Sequence, residues 1–151
     1  MTDPANCSHR SLNDRRIPMD HRTLAADLLS RPSFEVVAWI DPRCQGGLPT
    51  DSDEALILLC PVLGPSATLI LHRLARYANQ GPTEWEPEPF AATFGLSRAT
   101  LAPRALSRLC RFGMAEVGES RLSVRTTVPH IPLHWLERLP EYLRNGLPLA
   151  A

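Results

Sequence analysis

The stretch from Phe90 to Val128, FAATFGLSRATLAPRALSRLCRFGMAEVGESRLSVRTTV, decides how this chain is read. Phe90 to Phe94 closes a short helical segment, and Gly95 supplies the left-handed residue that ends it. Leu96 is expected to pack inward and Ser97 to cap the next helix. From Thr100 to Phe112, Leu101, Ala105, Leu109 and Phe112 share one side of a helix, with Leu106 and Cys110 near them. Arg104, Arg108 and Arg111, spaced four and three apart, form a single basic stripe on the exposed side. Pro103 removes a backbone donor, which predicts either a broken start near Arg98 or a regular helix opening at Pro103. Gly113 stops the helix. Met114 to Val117, a turn at Gly118-Glu119-Ser120, and Arg121 to Val128 then read as a β-hairpin. Within it Leu122, Val124, Thr126 and Val128 alternate against Arg121, Ser123, Arg125 and Thr127.

Working outward, Ser66 is placed to cap a helix over Ala67 to Asn79 that Gly81-Pro82 ends. Its apolar positions recur at three and four residues, and His72 falls on the solvated side as a surface residue. Thr83 to Pro89, TEWEPEP, is an acidic approach in which Pro87 or Pro89 opens the short helix through Phe94. Further upstream, residues 1–21 read as a flexible polar tail, and Arg22 to Leu29 as a short amphipathic helix stopped at Arg31-Pro32. Phe34 to Ile40, FEVVAWI, is a strand, followed by a Gly/Pro loop from Arg43 to Thr50. Asp51 to Leu59 is a helix with an acidic start, interrupted by Pro61 and Gly64-Pro65. Beyond the hairpin, Leu133 to Leu139 and Pro140 to Asn145 form two short helical segments, with Trp135 and Leu139 facing the core.

A chain of 151 residues fits one domain, 22–151, behind the tail. Hydrophobic residues at 44% and charged residues at 21% match a soluble globular protein, and no apolar run approaches the roughly 18 residues that would span a bilayer. The polar start lacks the apolar segment of a secretory signal, so a cytoplasmic location and no membrane contact are expected. Cys7, Cys44, Cys60 and Cys110 are scattered without a zinc spacing, and Cys7 with His9 and His21 sits in the solvated tail. His130 and His134 share an HxxxH spacing, but Pro132 lies between them and a surface pair is the better reading. Neither metal nor cofactor is expected. No nucleophile elbow, P-loop, dinucleotide turn or HExxH occurs, and Glu84, Glu86 and Glu88 read as a solvated charge run, so the chain is not expected to be an enzyme.

With these elements placed, residues 66–128 resemble the winged helix superfamily. The resemblance implies a mostly α fold with a small antiparallel sheet (α+β): a winged helix-turn-helix domain, core 66–128, with N-terminal and C-terminal helical extensions. Three runs, Glu35-Val36-Val37-Ala38-Trp39, Val62-Leu63-Gly64-Pro65-Ser66 and Arg111-Phe112-Gly113, are similar to a group of small uncharacterised proteins from GC-rich bacteria. They extend the resemblance from about Leu28 to Leu143, and the group implies no activity.

The leading expectation is binding of double-stranded DNA, in the manner of a transcriptional regulator. Its candidate residues are Arg98, Arg104, Ser107, Arg108 and Arg111 on the helix and Arg121 and Arg125 on the wing. Six arginines against two glutamates between Ser97 and Val128 give that segment a local net charge of +4. Formal net charge of the whole chain is zero, and all sixteen basic residues are arginine, a bias that genomic base composition alone can produce. The alternative is a protein-interaction module on the same scaffold, with the arginines facing an acidic partner or Trp85 anchoring one. A homodimer is a further expectation, the FEVVAWI strand serving either that contact or the domain's own sheet.

Overall fold

A computed structural model of the protein describes residues 20–44, 46–129 and 132–146. The expected tail lies almost wholly outside these, as do Cys7, His9 and His130. In chain order the elements are α1 (His21–Leu29), β1 (Phe34–Trp39), α2 (Asp53–Leu63), α3 (Pro65–Ala78) and β2 (Thr83–Trp85). These are followed by α4 (Pro87–Thr93), α5 (Leu101–Arg111), β3 (Ala115–Val117), β4 (Arg121–Arg125), α6 (Leu133–Leu136) and α7 (Glu141–Gly146). The α+β class expected from the sequence is observed.

The four strands form one sheet in the order β2-β1-β4-β3. β1 pairs antiparallel with β2 and parallel with β4, so the sheet is mixed rather than antiparallel as expected. Parallel pairing needs a long crossover, which the helices between β1 and β4 supply. The FEVVAWI segment therefore lies inside the domain's own sheet, flanked on both sides.

Alternation along β1 and β4 divides the sheet into two faces. Phe34, Val36, Leu122 and Val124 are buried on the core face, where α3 crosses β1 and β4. The register sets Glu35 beside Arg121, Val37 beside Ser123 and Trp39 beside Arg125 on the opposite face. α3 contributes Ile70, Leu71 and Leu74, all without exposure, and α5, packed against both α3 and β3, adds Leu106 and Leu109. Full burial of each such side chain contributes roughly 1.5–3 kcal/mol. Phe90 of α4 locks the β2 end of this core, packing edge-on against Phe34 at 5.1 Å and Trp85 at 5.7 Å. At the other end Trp135 of α6 meets Phe112 at 5.1 Å.

Several boundaries depart from expectation. α2 continues through Pro61 to Leu63, because Pro61 and the residue one turn back, Ile57, are both on the exposed side. There the carbonyl that proline leaves without a partner can be solvated. Its cap is Ser52, whose hydroxyl accepts from the Ala55 N–H at 3.2 Å. α3 opens with Gly64 as its cap and Pro65 in the first turn, two residues before the expected cap at Ser66. Gly64 has φ +83°, a conformation that glycine adopts without penalty and that lets two helices meet with no linker. α5 begins at Leu101, neither at Arg98 nor at Pro103. Residues 98–100 form a turn, and the Ser97 hydroxyl accepts from the Leu101 N–H at 3.0 Å. Pro103 falls in the first helical turn, where its missing N–H has no intrahelical acceptor to satisfy.

Candidate functional site

The candidate residues separate into three groups once placed. Arg104, Arg108 and Arg111 are exposed on α5 and, with Leu101, form its whole solvent-facing strip. Ala102, Pro103, Ala105, Leu106, Ser107 and Leu109 are all buried, because α1 and α3 both pack against this helix. Among the described residues no carboxylate lies within 4.0 Å of these three guanidinium groups. Arg108 also lies over the Phe112 ring at 5.9 Å, with one nitrogen 3.5 Å from the Val62 carbonyl, so its position is partly fixed.

Arg98 and Arg121 are exposed but partnered. Arg98 lies in the turn before α5 and meets Glu88 at 3.4 Å. Arg121 meets Glu35 across the parallel pair at 3.8 Å. Exposed pairs of this kind contribute about 0–1 kcal/mol, so either arginine can change partners at little cost.

Ser107 and Arg125 are interior. Ser107 is 8% exposed. Arg125, 9% exposed, donates from Nε to the Gly113 carbonyl at 2.6 Å and from Nη1 to Asp41 at 3.1 Å. Its Cζ lies over the Trp39 ring, 3.9 Å from the ring centre. Nε and Nη1 of Arg125 are thus engaged within the fold, and its side chain is mostly covered on the hairpin. Asp41 also takes two bonds from the Arg43 guanidinium, at 3.1 and 3.0 Å. Arg43, through its side chain first and then its backbone N–H, holds the Asp41 carboxyl well below the usual carboxylate range, with Arg125 adding to the effect.

Other singled-out residues fall into structural roles. Trp85 is half-buried between Tyr77 and Phe90, and its indole N–H donates to the Thr83 hydroxyl at 2.9 Å, so it is a core residue rather than a surface anchor. Glu84 accepts from Ser33 at 2.7 Å. His72 is half-buried rather than on the open surface, with Nε2 covered. His134 is exposed. Burial pushes the Cys110 thiol up to about 11, against a weaker opposing bond from the Val117 backbone, and keeps it protonated at neutral pH. No group of three metal-ligating side chains occurs among the described residues. No helix among them is long and apolar enough to cross a membrane.

A groove that no sequence pattern announced runs beside the arginine stripe. It has a volume of about 270 Å³ and lies between the first turn of α3 and the start of α5, with Arg104 and Arg108 on its lining. The signal missed was Gly64-Pro65, which sets the end of α2 and the start of α3 directly beside α5. Neither family models, curated proteins nor solved structures match the chain.

Proposed function

We propose that the protein is a winged-helix protein that binds double-stranded DNA, a transcriptional regulator in class, through the arginine stripe of α5. The observation that carries this reading is the set of three exposed guanidinium groups at Arg104, Arg108 and Arg111, none with a carboxylate within 4.0 Å among the described residues. The order α3, β2, α4, α5, then the β3–β4 hairpin is the element order of a winged helix, here with β1 inserted between β2 and β4. Arginine pairs with guanine edges or with phosphate through two parallel bonds, and it keeps its charge at any working pH. Arg98 and Arg121 supply flanking contacts by exchanging Glu88 and Glu35 for phosphates, whereas Arg125 and Ser107 hold the fold. Because the chain as a whole is neutral, the affinity resides in this local patch and is steeply salt-dependent.

Anisotropy titrations with genomic duplexes at several salt concentrations test this reading. Replacing Arg104, Arg108 and Arg111 together by alanine is expected to lower the slope of log K against log salt by about 0.9 for each phosphate that the protein no longer neutralises. Identical slopes and affinities for wild type and variant would discard it. A protein ligand is the second reading, favoured by the apolar groove alongside the stripe.

A further inference from the structure

We propose that the groove between α3 and α5 is a docking site for an acidic amphipathic helix of a partner protein. Its lining includes Leu63, Pro65, Leu96, Leu101 and Ala105, an apolar surface, and Arg104 and Arg108 complete it. Among the described residues no acidic side chain lines it. Leu101 remains 44% exposed although it adjoins this apolar surface, so the groove leaves apolar area open to solvent. The groove thus joins one exposed leucine and apolar walls to two guanidinium groups of a single sign of charge.

The shape of the groove selects among ligands. Sites that bury most of a small molecule are enclosed, whereas this groove, about 270 Å³, is open along one side. It therefore receives a few side chains of a larger partner. A helix with apolar residues at i, i+3, i+4 and i+7 sets those anchors into the groove, and carboxylates along its flank meet Arg104 and Arg108. Burial of the anchors supplies most of the affinity, and the ion pairs orient the helix and speed its encounter.

This site goes beyond the DNA reading and is coupled to it. Arg104 and Arg108 serve both ligands, so the partner helix and a DNA duplex exclude one another. Arg111 does not line the groove, and Leu101 carries no charge for DNA. Those two residues separate the functions.

The probe is a short fluorescein-labelled helical peptide with leucines at that spacing and flanking glutamates. Saturable binding is expected at low salt, weakened about tenfold or more by Leu101→Ser and by Arg104→Glu and unchanged by Arg111→Ala. Affinity for duplex should respond in the opposite way, falling with Arg111→Ala and unchanged with Leu101→Ser. Unlabelled duplex should displace the peptide. No saturable binding, equal binding by wild type and Leu101→Ser, or equal binding of a peptide with glutamine in place of glutamate would each overturn the groove proposal. Peptide binding without duplex binding would keep the groove and remove the DNA reading. Thermal unfolding of the variants, all at exposed positions, verifies that each is folded.

Discussion

The guanidinium of Arg125 stacks 3.9 Å from the ring centre of Trp39, its neighbour across the parallel β1–β4 pair. The same guanidinium bonds Asp41, just past the end of β1, and the Gly113 carbonyl at the end of α5. One side chain thus ties the first strand, the second half of the hairpin and the arginine-bearing helix into a fixed arrangement. Arg125→Ala is expected to destabilise the fold by about 2–4 kcal/mol, because it leaves the part-buried Gly113 carbonyl without this donor and removes a charge partner of Asp41. Lysine should recover only part of this, since one ammonium group cannot stack on the ring and reach both acceptors. Urea unfolding of the two variants measures both effects, and a loss below about 0.5 kcal/mol for alanine would place Arg125 among ordinary surface residues.

Asp41 gives the same cluster a pH signature. Its carboxyl is depressed in the folded protein, chiefly by Arg43, so the unfolded chain takes up the proton more readily. The stabilisation is therefore complete above about pH 5 and is lost as pH falls through the unfolded value near ~3.9 toward the lower folded value. Asp41→Asn should lower the urea midpoint at neutral pH and flatten its decline below pH ~5, so that the two proteins converge in acid. Parallel curves for wild type and variant across that range would separate Asp41 from the acid response.

The arginine stripe was legible in the sequence because its spacing is periodic and nothing in the tertiary structure disturbs it. Arg125 was misplaced for the complementary reason. Strand alternation correctly put it opposite Leu122 and Val124, but the far face is the solvent face only where nothing covers it. Here the segment after β1 returns over it, a contact between residues 84 positions apart that no local pattern encodes. Ser107 was hidden in the same way, since a helix packed by both α1 and α3 buries positions that a one-sided amphipathic reading assigns to water. The strand β2 went unread because three residues ahead of a proline are too few to display alternation.

Pro103 tests how the start of α5 is built. If the helix ran from Arg98, the proline would sit in its interior and its replacement by alanine would stabilise the protein by as much as about 3 kcal/mol. In the observed first-turn position, no hydrogen bond is lost to the ring, and the ring restricts the unfolded chain. Pro103→Ala is accordingly expected to lower stability by about 1–3 kcal/mol, from the freer unfolded chain together with the buried ring carbons lost. Urea midpoints and far-ultraviolet dichroism distinguish the two outcomes, and a clear gain in both stability and helicity would relocate the helix start.

Two adjacent glycines in the loop after β1 should respond differently to the same change. Gly46 has φ +78°, and a side chain there would meet nothing within 4 Å, so Gly46→Ala carries only the backbone penalty of about 1–2 kcal/mol. Gly47 lies where this loop packs against the chain beyond β4. A Cβ there would lie 2.8 Å from the Thr127 methyl, 2.9 Å from the Val128 carbonyl oxygen and 3.1 Å from the Cys44 carbonyl oxygen. The methyl can rotate away, but the two carbonyls belong to backbone held by the Val128 N–H bond to Leu48 at 2.8 Å and the Gly47 N–H bond to Cys44 at 3.1 Å. Relief therefore requires the loop to lift from β4, which loosens the cover over Arg125 and Asp41. Gly47→Ala should cost about 1–3 kcal/mol and, unlike Gly46→Ala, should also raise hydrogen exchange at the Val128 amide. Equal exchange in the two variants would mean that the loop absorbs the added carbon without moving.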